Sequence, residues 1–182
     1  MRFLIISDLH GSADAFKSAI EAFDHERADL ILICGDYLYH GPRNMLPIGY
    51  EPKDLAPLLN EHRDRIIGIR GNCDSEVDQM LIQFPIMSDY ALLFNAGRRL
   101  FLTHGHIYSE EHHPYLSSGD IFISGHTHIP VLKRGDDGVI FLNPGSTTIP
   151  KAMSKPGYAI LDDTSAQLKE LTSHRTVASL DL

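Results

Sequence analysis

The sequence contains little cysteine and no excess of basic residues. Its two cysteines, Cys34 and Cys73, are too few for a disulfide scaffold, and without a cysteine cluster a structural zinc site is disfavoured. Acidic residues outnumber basic ones by 24 to 16, which gives a formal net charge of -8. Because nonspecific nucleic-acid binding depends on basic side chains that displace counterions, this charge argues against a nucleic-acid partner.

Long apolar segments are also absent. The N-terminal apolar run covers only residues 3–6 before Ser7 and Asp8, which is too short for a signal peptide or a membrane-spanning helix. We therefore expect a cytoplasmic protein with no membrane partner. No tract rich in Ser, Gly or Pro suggests a linker, and 182 residues suffice for one hydrophobic core. The sequence predicts a single domain, residues 1–182.

The first half of the chain alternates apolar runs with helical patterns. Apolar runs occur at residues 3–6, 30–34 and 65–69, and apolar residues at helical spacing follow the first run and recur at 54–59. This alternation predicts parallel strands joined by right-handed crossovers. Sheets of this kind bind ligands at the carboxyl ends of their strands, where each of these runs is followed by polar residues.

The second half is mostly strand. Short apolar runs separated by turn signals lie at 90–94, 99–103, 121–124, 131–133, 139–142, 158–161 and 167–171. An α/β first half followed by a β-rich second half predicts an α/β fold in which two packed sheets are flanked by helices. The loops of both halves should then meet at one edge.

Polar motifs follow several of these runs. They are Asp8-Leu9-His10, Gly35-Asp36, Gly71-Asn72-Cys73-Asp74, Thr103-His104-Gly105-His106 and Gly125-His126-Thr127-His128. In an extended chain, alternate residues point to the same side, so Asp-x-His and His-x-His would direct both side chains toward one centre. The glycines would let the chain turn sharply or approach that centre closely. Mixed carboxylate and imidazole ligands favour Mn²⁺, Fe²⁺ or Zn²⁺ over Ca²⁺ or Mg²⁺.

Three further positions receive structural interpretations. Asp74 lies where a helix would begin and is predicted to be its N-cap rather than a ligand. Cys34 lies inside an apolar run and is predicted to be a core residue. The segment 143–146, Asn-Pro-Gly-Ser, should form a turn that supports the site through backbone contacts.

Taken together, the ordered motifs resemble those of the calcineurin-like metallophosphoesterase superfamily. The short length, Cys73 and the segment 143–146 resemble its branch of small bacterial and archaeal phosphodiesterases. The resemblance spans Asp8 to His128 and implies a four-layer α/β/β/α sandwich that binds two divalent cations. It implies that one cation is held by Asp8, His10, Asp36 and His128, and the other by Asp36, Asn72, His104 and His126, with Asp36 bridging the two.

The resemblance implies hydrolysis of a small phosphodiester. Two cations about 3.5–4 Å apart can share a hydroxide whose pKa is lowered toward ~7 and that attacks phosphorus in line. Mn²⁺ is the expected metal, with Zn²⁺, Fe²⁺, Ni²⁺ and Co²⁺ as alternatives. Asn72, Cys73 and His106 are the candidate catalytic residues beside the cations. Of these, Cys73 departs from the family pattern, since many members have a histidine there that stabilises the leaving group, whereas a thiol with a pKa near ~8.5 is a weak donor.

Other functions stay open at this point. A phosphomonoesterase that acts on a small metabolite would need the same cations. A non-catalytic protein-binding scaffold could share the fold, although relatives of that kind tend to lose ligands and every ligand position is filled here. A nuclease is the weakest alternative because of the acidic charge and the lack of a basic or aromatic groove. A homo-oligomer is compatible with the sequence.

Overall fold

The computed structural model describes residues 1–182, and the chain forms three α-helices and eleven β-strands. In chain order these are β1 (Phe3–Ile6), α1 (Ala13–Glu26), β2 (Leu30–Ile33), α2 (Pro52–Glu61), β3 (Ile66–Gly68), α3 (Glu76–Leu81), β4 (Tyr90–Asn95), β5 (Arg98–Thr103), β6 (Ile121–Ile123), β7 (Val131–Arg134), β8 (Ile140–Asn143), β9 (Gly157–Leu161), β10 (Ser165–Glu170) and β11 (Thr176–Asp181). None of the three helices has both the length and the apolar character needed to cross a membrane.

Two mixed β-sheets form the centre of the fold. The first has six strands in the order β11-β10-β9-β1-β2-β3, and the second has five in the order β4-β5-β6-β8-β7. Strands β1, β2 and β3 are parallel to one another, and so are β5, β6 and β8. The predicted α/β class with two mixed sheets is confirmed, and helices α1 and α2 pack against the first sheet.

Strand β1 is buried on both faces because it lies between two hydrophobic layers. Phe3 and Ile5 pack between the two sheets, whereas Leu4 and Ile6 pack between the first sheet and the helices. This division follows from the two-residue period of a strand. Full burial of a large apolar side chain stabilises the fold by roughly 1.5–3 kcal/mol, so the central strand is a firm base for the loop that follows it.

The outer face of the second sheet is covered by a loop rather than by a helix. A separate cluster there comprises Phe101, Leu116, Phe122, Val139 and Phe141. Leu116 belongs to the connection between β5 and β6, which contains no helix. The four layers implied by the resemblance are therefore present, but the fourth is an irregular segment.

The carboxyl ends of the parallel strands carry the polar motifs. Asp8 follows β1, Asp36 follows β2, Asn72 follows β3, His104 follows β5 and His126 follows β6. The loops of the two sheets are hydrogen-bonded to each other, since the backbone N–H of His126 donates to Asp8 Oδ2 over 3.2 Å. The expectation that the loops of both halves meet at one edge is confirmed.

Some elements differ from the sequence prediction. Helix α2 begins at Pro52 rather than near residue 54, and the helix expected to begin at Asp74 is the short α3, which begins at Glu76. Strand β11 was missed. It is an edge strand with mostly exposed side chains, and only Val177, Ala178 and Leu180 of its six residues are apolar, so the apolar signal of a strand is weak.

A buried charged cluster joins α1 to the first sheet. The Glu26 carboxylate accepts hydrogen bonds from Arg2 Nη2 and from the Tyr158 hydroxyl, both over 2.9 Å, and it pairs with Lys169. Burial opposes its ionisation, but the hydrogen bonds from Lys169, Arg2 and Tyr158 lower the pKa of Glu26 to about 2. The ionised side chain therefore stabilises the fold.

We expect Glu26→Gln to lower the free energy of unfolding by about 1–3 kcal/mol at pH 7, because two cations lose their anionic partner. Since the folded pKa of about 2 lies below the ordinary value of 4.5, this stabilisation is complete above pH 4.5 and is lost as the pH falls toward 2. Urea unfolding at pH 7 and pH 3 should show a smaller difference from wild type at the lower pH. Asp64→Asn, in an exposed side chain, is the control, and a pH-independent difference for Glu26→Gln would refute the assignment.

Candidate metal centre

The motif residues reach one centre through an unusual backbone conformation. Asp8, His10, His126 and His128 have φ angles of +57°, +45°, +65° and +60°, and Asp36 has +60°. Their segments are therefore not extended, and the explanation by strand-like alternation was wrong. A non-glycine residue in the left-handed region costs on the order of 1–3 kcal/mol and is concentrated at functional sites. The recurrence of this strain in three separate loops marks the centre as functional.

The first group of side chains contains Asp8, His10 and His128. The distance from His128 Nε2 to Asp8 Oδ1 is 3.2 Å, and from His10 Nε2 to the same oxygen it is 3.8 Å. The two Nε2 atoms lie 3.3 Å apart. Side chains of Asp8, His10 and His128 are all buried, so solvent cannot separate these polar atoms.

The hydrogen bond at Nδ1 of each ring determines whether Nε2 carries a proton or a lone pair. His10 Nδ1 contacts the Tyr39 carbonyl over 2.9 Å, and His128 Nδ1 contacts the Ile149 carbonyl over 2.7 Å. A carbonyl only accepts, so each Nδ1 must donate, and in a neutral ring Nε2 then carries a lone pair. Two lone pairs facing each other repel unless a positive centre lies between them.

An unpartnered carboxylate oxygen supports the same interpretation. Asp8 Oδ1 is buried and makes no hydrogen bond, although an unsatisfied buried charged oxygen is costly. Together with the facing Nε2 atoms of His10 and His128, this oxygen forms a set of three lone-pair atoms that could bind a metal ion. The group therefore fits a divalent cation, and the ring orientation by backbone carbonyls is typical of histidine ligands.

The second group contains His104, Asn72 and His126. His104 Nδ1 donates to the Cys34 carbonyl over 2.5 Å, which leaves Nε2 facing Asn72 Oδ1 at 3.0 Å. The His126 ring is packed on that of His104, with centroids 5.1 Å apart. Cys34 is fully buried, as predicted for a core residue.

Asp36 lies between the two groups. Its Oδ2 is 3.7 Å from His10 Nε2 and 3.5 Å from His104 Nε2. Its Oδ1 accepts a hydrogen bond from the Cys73 N–H over 2.8 Å. A single carboxylate oxygen thus faces an imidazole of each group, which is the geometry that a bridging ligand requires.

The electrostatics of the centre favour positive charge. Burial opposes ionisation of Asp36, but the His104 imidazole holds the pKa of this carboxyl well below its usual range. Burial likewise lowers the pKa of His104, yet the Asp36 and Asp8 carboxylates raise it to about 9. The carboxylates therefore attract a proton to an imidazole, and a divalent cation would satisfy the same field.

Asp74 holds the centre in place without being a ligand or an N-cap. Its carboxylate accepts from the backbone N–H groups of Asp36, Tyr37 and Gly71 over 2.8, 2.8 and 2.6 Å. The N-cap of α3 is Ser75, so the N-cap prediction for Asp74 was wrong. Burial and the charge of Asp36 raise the pKa of Asp74 to about 7. The side chain ties the loop after β2 to the loop after β3.

Gly71 permits this close approach. A Cβ at this position would lie 2.1 Å from Asp36 Oδ1 and 2.4 Å from the Asp36 backbone nitrogen, so no other residue fits without displacing the carboxylate. The sequence prediction that glycine allows the chain to approach the centre closely holds here for a steric reason.

The segment 143–146 supports the site as predicted, but Asn143 still belongs to β8 and the contacts are made by side chains that donate to backbone carbonyls. Asn143 Nδ2 donates to the Gly125 carbonyl over 2.7 Å, and Ser146 Oγ donates to the Asp8 carbonyl over 3.0 Å. The Thr148 hydroxyl also donates to the Asp8 carbonyl, over 2.8 Å. The two bonds to Asp8 stabilise its strained conformation, and the role of Thr148 was not predicted from the sequence.

A cavity of about 490 Å³ opens beside the centre. Asp36, Asn72, His126 and His128 line it together with Cys73, and Arg43 and Lys151 also line it, although sequence reasoning did not select these two. His106 does not line this cavity, and its ring centroid is 5.3 Å from that of His104. A catalytic role for His106 stays a prediction.

The comparison with known protein families agrees with this geometry. Residues 1–166 match the model of the calcineurin-like phosphoesterase superfamily domain. The chain belongs to this superfamily. The family resemblance noted in the sequence is therefore confirmed, and membership of a metallophosphoesterase family implies divalent cations at the centre.

Individual relatives cover most of the chain. Phosphodiesterase YfcE of Escherichia coli is 41% identical over 180 residues, which are 99% of this chain and 97% of the relative. A solved structure of E. coli YfcE, described as a phosphoesterase, has a TM-score of 0.96 at 40% identity and covers 99% of this chain and 98% of that one. A probable metallophosphoesterase of Methanothermobacter thermautotrophicus is 36% identical over 165 residues, 86% of this chain and 83% of the relative.

We expect Asp74→Asn to lower the free energy of unfolding by about 1–3 kcal/mol, because the amide has one acceptor oxygen where three N–H groups need two. Its NH₂ group would also face an N–H donor and displace Asp36. Urea unfolding and calorimetric titration with Mn²⁺ should show both lower stability and weaker binding. The exposed Asp64→Asn serves as the control, and wild-type affinity in Asp74→Asn would disprove this positioning role.

Proposed function

We propose that the protein is a metal-dependent phosphodiesterase that acts on a small phosphodiester. The observation that carries the proposal is the position of Asp36 Oδ2 between His10 Nε2 and His104 Nε2. In this proposal two divalent cations are bound by Asp8, His10, Asp36, Asn72, His104, His126 and His128. The name of the YfcE relative, a phosphodiesterase, supports the reaction type.

The side chains of the centre have distinct roles in this proposal. Bound divalent cations supply activation of a water nucleophile and neutralisation of phosphoryl charge. The Nδ1 contacts of His10, His104 and His128 with carbonyls hold each Nε2 toward the centre. The Cys73 N–H orients Asp36, and Asn72 contributes its amide oxygen. No protein nucleophile is required.

Mn²⁺ is the metal that we propose, with Zn²⁺, Fe²⁺, Ni²⁺ and Co²⁺ as alternatives. The proposed donors are carboxylate and amide oxygens and imidazole nitrogens, which suit these ions better than Ca²⁺ or Mg²⁺. Cys73 Sγ lies within 4.8 Å of donor atoms of His10 and Asp36. We do not include it among the ligands, because it lies on the cavity wall where a leaving group would depart.

Two alternatives have distinct signatures. A phosphomonoesterase would turn over doubly charged substrates faster than diesters. A protein-binding scaffold would bind cations and hydrolyse nothing, but the donor set is complete, and five of its seven members (Asp8, His10, Asp36, His104 and His128) are buried, which disfavours a scaffold. We further propose that residues 1–182 act as one domain, since the cavity takes side chains from both halves. A cytoplasmic location is part of the same proposal.

We expect protein treated with a chelator to be inactive toward bis(p-nitrophenyl) phosphate and to recover with Mn²⁺. Asp36→Asn should lower kcat/KM by at least about 100-fold, because the shared carboxylate is lost, and should bind fewer than two metal equivalents by elemental analysis. Asp64→Asn should stay within about twofold of wild type. Two bound equivalents in a protein inert toward diesters and monoesters would favour the scaffold instead.

Cys73→His should shift activity toward phosphomonoesters and poor leaving groups. The thiol is a weak hydrogen-bond donor, whereas an imidazole on this wall can donate a proton to the departing oxygen. The ratio of rates for phenyl and p-nitrophenyl phosphates should rise by about tenfold or more in Cys73→His. Cys73→Ser is the matched control without an imidazole, and an unchanged ratio in the histidine variant would dispose of this explanation.

A further inference from the structure

Two cationic side chains on the cavity wall lack partners within the protein. Arg43 and Lys151 line the 490 Å³ cavity beside the metal centre. Nine of the 16 lysines and arginines pair with a carboxylate, but Arg43 and Lys151 are not among them. In a chain with a net charge of -8, unpaired cations at the active cavity indicate an anionic ligand.

Lys151 is held beside the centre by both of its backbone groups. Its N–H donates to the carbonyl of His128 over 3.0 Å, and its carbonyl accepts from the N–H and hydroxyl of Ser154 over 3.0 and 2.6 Å. Ala152 and Met153, which follow it, have φ angles of +53° and +58°. Two consecutive strained residues cost roughly 1–2 kcal/mol each, and such strain persists where the surrounding contacts fix the turn.

Arg43 approaches the cavity from a different wall. It lies in the loop between β2 and α2, where Asn44 Nδ2 donates to the His40 carbonyl over 2.9 Å and closes the turn. The neighbouring Gly41 has a φ of +80°, and a Cβ there would lie 3.3 Å from Cys73 Sγ. Arg43 is therefore on the Cys73 side of the cavity, whereas Lys151 is on the His128 side.

The charge and polarity of the cavity define what the two side chains can bind. Two divalent cations, the Asp8 and Asp36 carboxylates and a hydroxide sum to a formal charge of about +1, which the scissile diester neutralises. Arg43 and Lys151 add positive charge that the diester does not use. Only one of the 11 lining residues is hydrophobic, so the walls suit a charged arm and not an aliphatic one.

We propose that the substrate is a phosphodiester with a further anionic group, a phosphate or a carboxylate, on one arm, and that Arg43 and Lys151 bind that group. This inference rests on the proposed function and specifies its substrate class. Complementary charge of this kind raises both affinity and the rate of encounter, and salt weakens it.

The test uses p-nitrophenyl phosphodiesters whose second arm is matched in size. The 3-carboxypropyl ester should have a kcat/KM at least tenfold above that of the neutral 3-carbamoylpropyl ester in low salt, and the preference should shrink as salt increases. A 3-phosphonooxypropyl ester in the same series distinguishes a preference for phosphate from one for carboxylate. Release of p-nitrophenolate is followed with the Mn²⁺-loaded full chain.

Variants test whether Arg43 and Lys151 cause the preference for charged esters. Arg43→Gln and Lys151→Gln should each reduce the ratio of kcat/KM between charged and neutral esters by at least threefold, and the double variant should bring it within twofold of one. Lys53→Gln removes a cation outside the cavity and should keep the full ratio. Circular dichroism is used to check that each variant is folded.

The possible outcomes distinguish the binding of an anionic arm from the phosphodiesterase function itself. Hydrolysis of both esters with equal kcat/KM overturns the inference and leaves the phosphodiesterase function standing. Failure to hydrolyse any diester with any of the metals overturns both. A preference that survives in the double variant shows that other residues bind the anionic arm.

Discussion

The site depends on the Asp36 carboxylate, because this group faces two imidazoles from loops of different sheets. His10 follows a strand of the first sheet and His104 follows a strand of the second. The carboxylate is 2% exposed, and burying a charge costs several kcal/mol unless positive charge compensates it. The Cys73 N–H donates to this carboxylate, and the Asp74 carboxylate accepts from the Asp36 backbone N–H. These hydrogen bonds therefore hold one negative charge between the two sheets.

The two-sheet architecture explains how so many polar side chains can meet without disrupting a core. The parallel strands β1, β2, β3, β5 and β6 end at the centre, so the loop after each of them contributes one or two of the proposed ligands while the strands stay apolar. The hydrophobic layer between the sheets fixes the spacing of the two sets of loops. A shift of one sheet relative to the other would separate His104 from Asp36, so packing far from the centre sets the distance between the proposed cation sites.

Much of this arrangement could be predicted from sequence, because the strands are local apolar runs and the motifs follow them directly. The fold class, the convergence of the loops and the supporting role of the segment 143–146 were accessible in this way. The left-handed conformations of Asp8 and His128 were not, since they are imposed by hydrogen bonds from distant loops. The role of Asp74 was missed for the same reason: its three partners include two from another loop. Arg43 and Lys151 belong to no motif, and only the three-dimensional packing brings them to one cavity.

The irregular fourth layer contains a place where the chain can be lengthened. The connection between β5 and β6 starts at a proposed ligand, covers the aromatic face of the second sheet through Leu116 and is closed by a pair between Arg99 and Asp120. Its middle part, near Glu111, is exposed and belongs to no strand or helix. Lengthening a loop is entropically cheap, about 0.6 kcal/mol for each doubling. A peptide or a small domain could be grafted at this point while both anchored ends of the connection keep their places.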